Sequence, residues 1–306
     1  MEQRHPDGRT VVVSGGTDGM GRGIALARLG RGDTVVVIGS GEARGAALMA
    51  DAALLGAARR CRFVQADLSS IAAVERAVEA ITREHPVVDA LVLCANRLNR
   101  TRRESPEGLE STFSLYYLSR YLLGHGLRFQ LDSADNPVIV NFAAPGLKVG
   151  SVKFDDLQAE RRYGILRAQA QCGRANDLLG RNFLQSPSSR ARYVLYHPGF
   201  TATRGGVAHL RQPARGIITV LGRVAARSVD QAIAPMVELI DRPPADRLTA
   251  IDRGRQVDLS LRTFDPDNAR RLAEVSRSLV LTHHGPTQLL PEPGEPGGPG
   301  SAGGVH

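Results

Sequence analysis

The sequence predicts a doubly wound α/β domain: a parallel sheet with helices on both faces. Three observations lead there. Short apolar runs recur along the chain, stretches with apolar residues at helical spacing separate them, and the runs are β-branched or aliphatic at consecutive positions. Strands covered on both faces read as continuous apolar runs, and strand–helix alternation marks βαβ units.

The elements follow in order. Residues 11–14 form the first apolar run, and 21–29 carry the first helical spacing. Runs at 35–38 and 61–65 come next, then an amphipathic stretch at 71–83, and further runs at 90–94, 138–142 and 193–196. Residues 1–9 are a polar lead-in, 10–285 the single domain, and 286–306 a disordered tail. Ten of the last sixteen residues are Pro or Gly, too few apolar groups to offset ordering entropy. Residues 96–106 and 203–227 fit the alternation poorly. Both leave the carboxyl end of a strand, where such sheets bind ligands.

Composition excludes several classes. At 42% hydrophobic and 23% charged, the 306 residues match an ordinary globular chain. No run approaches the roughly 18 apolar residues that cross a bilayer. The N-terminus lacks the apolar core of a signal peptide, so the expectation is a cytoplasmic protein without a membrane partner. Cys61, Cys94 and Cys172 fit neither a disulfide framework nor a metal-ligand spacing; they read as buried thiols, and no metal is expected. The net charge of +8 invites a nucleic-acid reading. Yet Lys148 and Lys153 are the only lysines among 39 basic residues, a uniform skew toward arginine that suggests codon bias, so no nucleic acid is expected.

The first motif with chemistry is Ser14-Gly15-Gly16-Thr17-Asp18-Gly19-Met20-Gly21, between the first strand and the first helix. Gly15 suits a tight turn, Gly19 a close approach of backbone to a pyrophosphate, and Gly21 a close helix–strand contact. The helix N-terminus would offer N–H groups and partial positive charge to phosphates.

The Gly-x-x-x-Gly-x-Gly spacing resembles that of the short-chain dehydrogenase/reductase family, a Rossmann fold, and further residues support the resemblance. Asp67-Leu68 matches the acidic position that meets the adenine. Leu93-Cys94-Ala95-Asn96 falls where the family has Asn-Asn-Ala-Gly. Pro198-Gly199-Phe200-Thr201-Ala202-Thr203 is similar to the Pro-Gly-x-x-x-Thr segment over the nicotinamide, and residues 264–272 are similar to the C-terminal helix of the retinol-dehydrogenase-like branch. The resemblance runs from about residue 9 to residue 282 and implies NAD(P)-dependent hydride transfer between nicotinamide and a small-molecule carbonyl or secondary alcohol. The cofactor contacts it implies are Ser14, Gly15, Gly19, Met20, Gly21, Ser40, Arg44, Asp67, Leu68, Ala95, Asn96, Pro198, Gly199, Thr201 and Thr203. The second strand ends Gly39-Ser40-Gly41, with no carboxylate before Glu42 and with Arg44 following, which favours NADP(H) over NAD(H).

The family also uses a tyrosine, a lysine four residues on, a serine and an asparagine. The resemblance sets Tyr163 at the tyrosine, as general acid/base, and Arg167 at the lysine, as its electrostatic partner. Ala144 stands at the serine and Tyr116 at the asparagine, and Asn96 replaces a glycine that lets cofactor lie close to backbone. Tyr116, Asn96, Ser151 and Asn141 are candidates to fill the gap. Substrate would sit beneath residues 204–222, and relatives suggest a homodimer through the helices carrying Tyr116 and Tyr163. Two readings stay open: an oxidoreductase, or a catalytically impaired nucleotide-binding protein serving as sensor or partner subunit.

Overall fold

The computed structural model describes residues 8–184, 189–199 and 229–290. One sheet runs through them in the order β3-β2-β1-β4-β5-β6-β7-β8. The strands are β1 (Thr10–Ser14), β2 (Thr34–Gly39), β3 (Cys61–Gln65), β4 (Ala90–Leu93), β5 (Val138–Phe142), β6 (Arg192–His197), β7 (Leu248–Asp252) and β8 (Arg255–Gln256). All pairings are parallel except that of β7 with β8. The doubly wound fold and all six expected strands are present. The last two strands were not legible, because β7 carries a threonine and an aspartate in five residues and β8 is two polar residues.

The helices are α1 (Gly19–Gly30), α2 (Glu42–Leu54), α3 (Ile71–Glu84), α4 (Ser111–Phe113), α5 (Ser119–Gly126), α6 (Arg128–Asp132), α7 (Ile165–Phe183), α8 (Val229–Asp241) and α9 (Pro266–His283), with a π turn at Ser114–Leu118 joining α4 to α5. Local chemistry sets several starts. Asp18 accepts from Gly19 N, Ser70 from Ala73 N, and Asp265 from Asn268 N with Pro266 behind it.

Alternate strand residues feed two cores. Val11, Val13, Val35 and Val37 pack with Ile24 of α1, Leu48 of α2 and Met236 of α8. Val12, Val36 and Ile38 belong with Val74 of α3, Leu122 of α5, Leu178 of α7 and Leu272 of α9. The sheet is thus covered on both faces, which is why its strands lack a polar side.

Arg28 ties one edge together. Its side chain is 1% exposed, bonds Asp33 through Nε, and reaches Asp241 of α8 from Nη1 at 2.6 Å. At the far end, the boundary expected at residue 286 needs correction, because residues 286–290 belong to the folded domain. Leu289 is buried, and Thr287 and His284 both bond Glu75 of α3, so apolar and polar contacts hold this segment in place. Residues 291–306 lie outside the described residues, as does the loop at 204–222.

Candidate active site

The site is built where strand order reverses. β1 pairs with β2 on one side and with β4 on the other, leaving a crevice at their carboxyl ends. The β1–α1 turn fills that crevice as the glycines require. Gly15 has φ +69°, and a Cβ there would stand 2.7 Å from both N and Cα of Ala95. A Cβ at Gly21 would strike the Gly15 carbonyl oxygen. Turn, helix and the β4 end therefore close on one another with no room for side chains. The amide groups of the first turn of α1 lack intrahelical acceptors, and the sealed Ser14 hydroxyl has no hydrogen-bond partner among the described residues. This arrangement of small residues, a helix start and the unpartnered Ser14 hydroxyl fits the diphosphate of a dinucleotide.

Ser40, Asp67 and Asn96 are exposed at the ends of β2, β3 and β4, and Arg44 is exposed in the first turn of α2. The Arg44 guanidinium folds back beside Gly41 and stands 4.0 Å from the Asp18 carboxylate. Asp67 turns one oxygen inward to Ser69, accepting from its N at 3.0 Å and its hydroxyl at 2.8 Å. Leu68 is buried beneath it and Met20 is partly exposed on α1. Pro198 and Gly199 follow β6, whereas Thr201 and Thr203 lie outside the described residues. His197, at the β6 end, bonds Asp252 of β7 through Nδ1 at 2.7 Å.

The expected partnership of Tyr163 and Arg167 needs correction. Tyr163 precedes α7, and its hydroxyl donates to the Asn99 carbonyl at 2.7 Å with Thr112 Oγ1 at 3.4 Å. Burial, followed by the nearby Glu110 charge, outweighs the Thr112 bond and raises the phenol above its ordinary pKa. Arg167 is exposed and helps line a separate 240 Å³ hollow with Val149, Ser151, Lys153 and Leu166. It is not among the charges that act on the phenol. The physical reason is register: the α7 side chain that reaches the β4 end is six residues further on. Gln169 Nε2 donates to the Arg97 carbonyl at 3.0 Å, and Asn96 Nδ2 donates to Gln169 Oε1 at 3.0 Å. Its i+4 neighbour on the same face is Gly173, where an added Cβ would meet nothing within 4 Å. Gln169 was legible only as a polar residue on an amphipathic helix, without a signal separating it from Gln171.

The candidate substitutes divide. Asn96 stays at the crevice, but Asn141 is fully buried in the sheet and donates to Asn176 Oδ1 at 2.9 Å and Tyr193 Oη at 2.7 Å. Tyr116 is buried, with the Arg120 guanidinium 4.6 Å above its ring. Ala144, partly exposed beyond β5, gives its carbonyl to Arg174. The Cys94 thiol is pushed up to about 12 by burial, as befits an inert side chain.

Arg174 and Asp177 fix the loop beyond β5 to α7. Arg174 bonds the carbonyls of Ala144 and Leu147, and Asp177 accepts from Gly146 N at 3.1 Å. Burial pushes the Asp177 carboxyl up to about 7, against the lowering effect of Arg174. A folded-state pKa above the unfolded value means the folded form holds the proton more tightly, so this group's contribution favours folding below about 4 and diminishes as pH rises toward 7. Asp177→Asn is expected to flatten the dependence of melting temperature on pH across that window. An unaltered slope would assign the dependence to other groups.

Comparison with known proteins agrees with this architecture. Residues 9–152 match the family model for short chain dehydrogenase. A Streptomyces sp. (strain C5) protein named for daunorubicin C-13 ketoreductase is 28% identical over 236 residues, covering 72% of this chain and 79% of that protein. Retinol dehydrogenase 14 of Mus musculus is 23% identical over 287 residues, covering 89% and 86% respectively. Among solved structures, a single-residue variant of actinorhodin polyketide ketoreductase with NADPH superposes with a TM-score of 0.63 at 17% identity, covering 83% of this chain and 100% of that one. Fold, switch-point glycine turn and relatives converge on one likeness: the chain is similar to short-chain dehydrogenases, retinol dehydrogenases among them.

Proposed function

We propose that the protein is a nicotinamide-dinucleotide-dependent oxidoreductase acting on a small-molecule carbonyl or secondary alcohol, with NADP(H) preferred to NAD(H). The observation that carries this reading is the backbone cradle of Gly15, Gly21 and Ala95 at the β1/β4 switch point, too tight for any side chain. When bound, the nucleotide would supply the hydride. The chain's own residues would do the rest: the first turn of α1 holds the diphosphate, Asp67 faces the adenine side, and Arg44 meets a 2′-phosphate. Asn96 and Gln169 present carboxamide N–H groups at the reactive end, donors that orient a carbonyl oxygen but do not titrate near neutral pH.

A specific observation favours the second reading, a nucleotide-binding protein with slow or absent turnover. No hydroxyl stands at Ala144, the Tyr163 phenol is engaged with Asn99, and Gly173 offers no cation. Loss of one preorganised donor at a developing oxyanion typically costs about 10²- to 10³-fold in turnover. Fluorescence titration with NADPH, followed by NADPH consumption with ketones, aldehydes and quinones, tests both. Binding with consumption supports the oxidoreductase, binding alone supports the second reading, and no binding overturns both. In the same assay, Arg44→Ala is expected to weaken NADPH by roughly tenfold, one charge-assisted hydrogen bond, and NADH much less. Equal losses would remove the NADP(H) preference.

Among the described residues no helix is long and apolar enough to cross a membrane. A homodimer through the α7 face would have to accommodate α9, which already packs along α7 within the chain.

A further inference from the structure

Among the described residues, two arginines are sealed inside the protein at 1% exposure, and they are treated differently. Arg28 is matched by Asp33 and Asp241. Arg120, on α5, has neutral acceptors only: the Ala95 carbonyl at 3.0 Å, the Phe142 carbonyl at 2.7 Å and Asn141 Oδ1. Among the described residues no carboxylate bonds or pairs with it. The ionisable groups around it are Tyr116, Tyr193, Cys94 and Cys172, all pushed up by burial and therefore uncharged at neutral pH. An isolated buried cation is costly unless something offsets it.

Its location suggests what the charge acts on. Arg120 bridges the carboxyl ends of β4 and β5 and bonds the carbonyl of Ala95, the residue whose backbone abuts Gly15. The cation therefore stands one residue behind the dinucleotide cradle, in an interior that screens it poorly. Asn141 holds it there and is itself fixed by Asn176 and Tyr193.

We propose that Arg120 is a positioning residue that sets the redox-state preference of the nucleotide site. Its fixed positive charge disfavours the cationic pyridinium ring of the oxidised nucleotide relative to the neutral ring of the reduced one. The proposal rests on the reading that the site takes a nicotinamide dinucleotide.

The test is the ratio of dissociation constants for NADP⁺ and NADPH, measured on the full chain by titration calorimetry. The probe 2′-phospho-ADP-ribose, which lacks the nicotinamide, serves as reference. The expected ratio favours NADPH by about tenfold, the size of one weakly screened charge at moderate range. Arg120→Met removes the cation. Asn141→Asp leaves it in place and sets a carboxylate at the atom that accepts its hydrogen bond. Both should shrink the ratio toward unity, whereas Arg120→Lys should preserve it. A general loss of packing would weaken all three nucleotides together and leave the ratio alone. A ratio unchanged in either folded neutralised variant, with 2′-phospho-ADP-ribose still bound, overturns the role of Arg120 only. Failure of the native chain to bind any of the three overturns the dinucleotide reading as well.

Discussion

Gly15→Ala is expected to abolish dinucleotide binding and to lower the melting temperature markedly. The position requires φ +69°, which costs an L-residue about 1–2 kcal/mol, and the new methyl would press on the backbone of Ala95 at 2.7 Å. Backbone cannot rotate away as a side chain can, so an overpacking penalty of roughly 1–3 kcal/mol adds to the first. The turn would have to open, moving the first turn of α1 away from the β4 end. Thermal melts and an NADPH titration on the same sample check both effects. Native affinity in the variant would show that the cradle is not the binding element.

Arg28→Met should be the most damaging change away from the site. It leaves Asp33, which is 4% exposed, without its guanidinium, and leaves Asp241 of α8 to Arg31 and Arg9 alone. Removing one partner of a buried ion pair costs about 3–5 kcal/mol, because the remaining charge stays in the interior. The more exposed Arg22–Asp51 pair is the natural control: Arg22→Ala should cost no more than about 1 kcal/mol. Denaturant unfolding of the two variants separates the cases, and equal losses would mean that burial does not govern these pairs.

Much of the fold was legible because the strands are short and apolar on both faces and glycine punctuates the first turn. β7 escaped notice because Thr249 interrupts its apolar pattern and Asp252, which serves His197, cuts it short. Residues 286–290 escaped because only the pair Leu289 and Leu290 carries their apolar packing, at the start of a stretch rich in Pro. The cofactor end of the site was legible for the same reason as the fold: small residues at fixed offsets from a strand. The reactive end was not. A tyrosine followed four residues later by a cation sets two side chains on one helix face, but only if the helix has begun, and α7 begins after Tyr163. Which turn of α7 meets the sheet is decided by tertiary anchors, Asn176 on Asn141 and Arg174 on the Ala144 carbonyl, and these have no local signature. Arg120 is equally invisible, since its meaning depends on its having no carboxylate partner among the described residues in three dimensions.

Strands that are oily above and below carry a hidden difficulty. Sliding β1 by one step along either neighbour, β4 or β2, would exchange one greasy surface for another, so burial alone discriminates poorly between alignments. The choice must be made at the rims. Thr10 N donates to the Asp89 carboxylate at 2.8 Å at one end, and Gly15 N donates to the Ile38 carbonyl at 2.8 Å at the other. These two polar stops act like pins through the first and last holes of a ruler. The glycine turn therefore helps decide how the central strands line up before any ligand arrives.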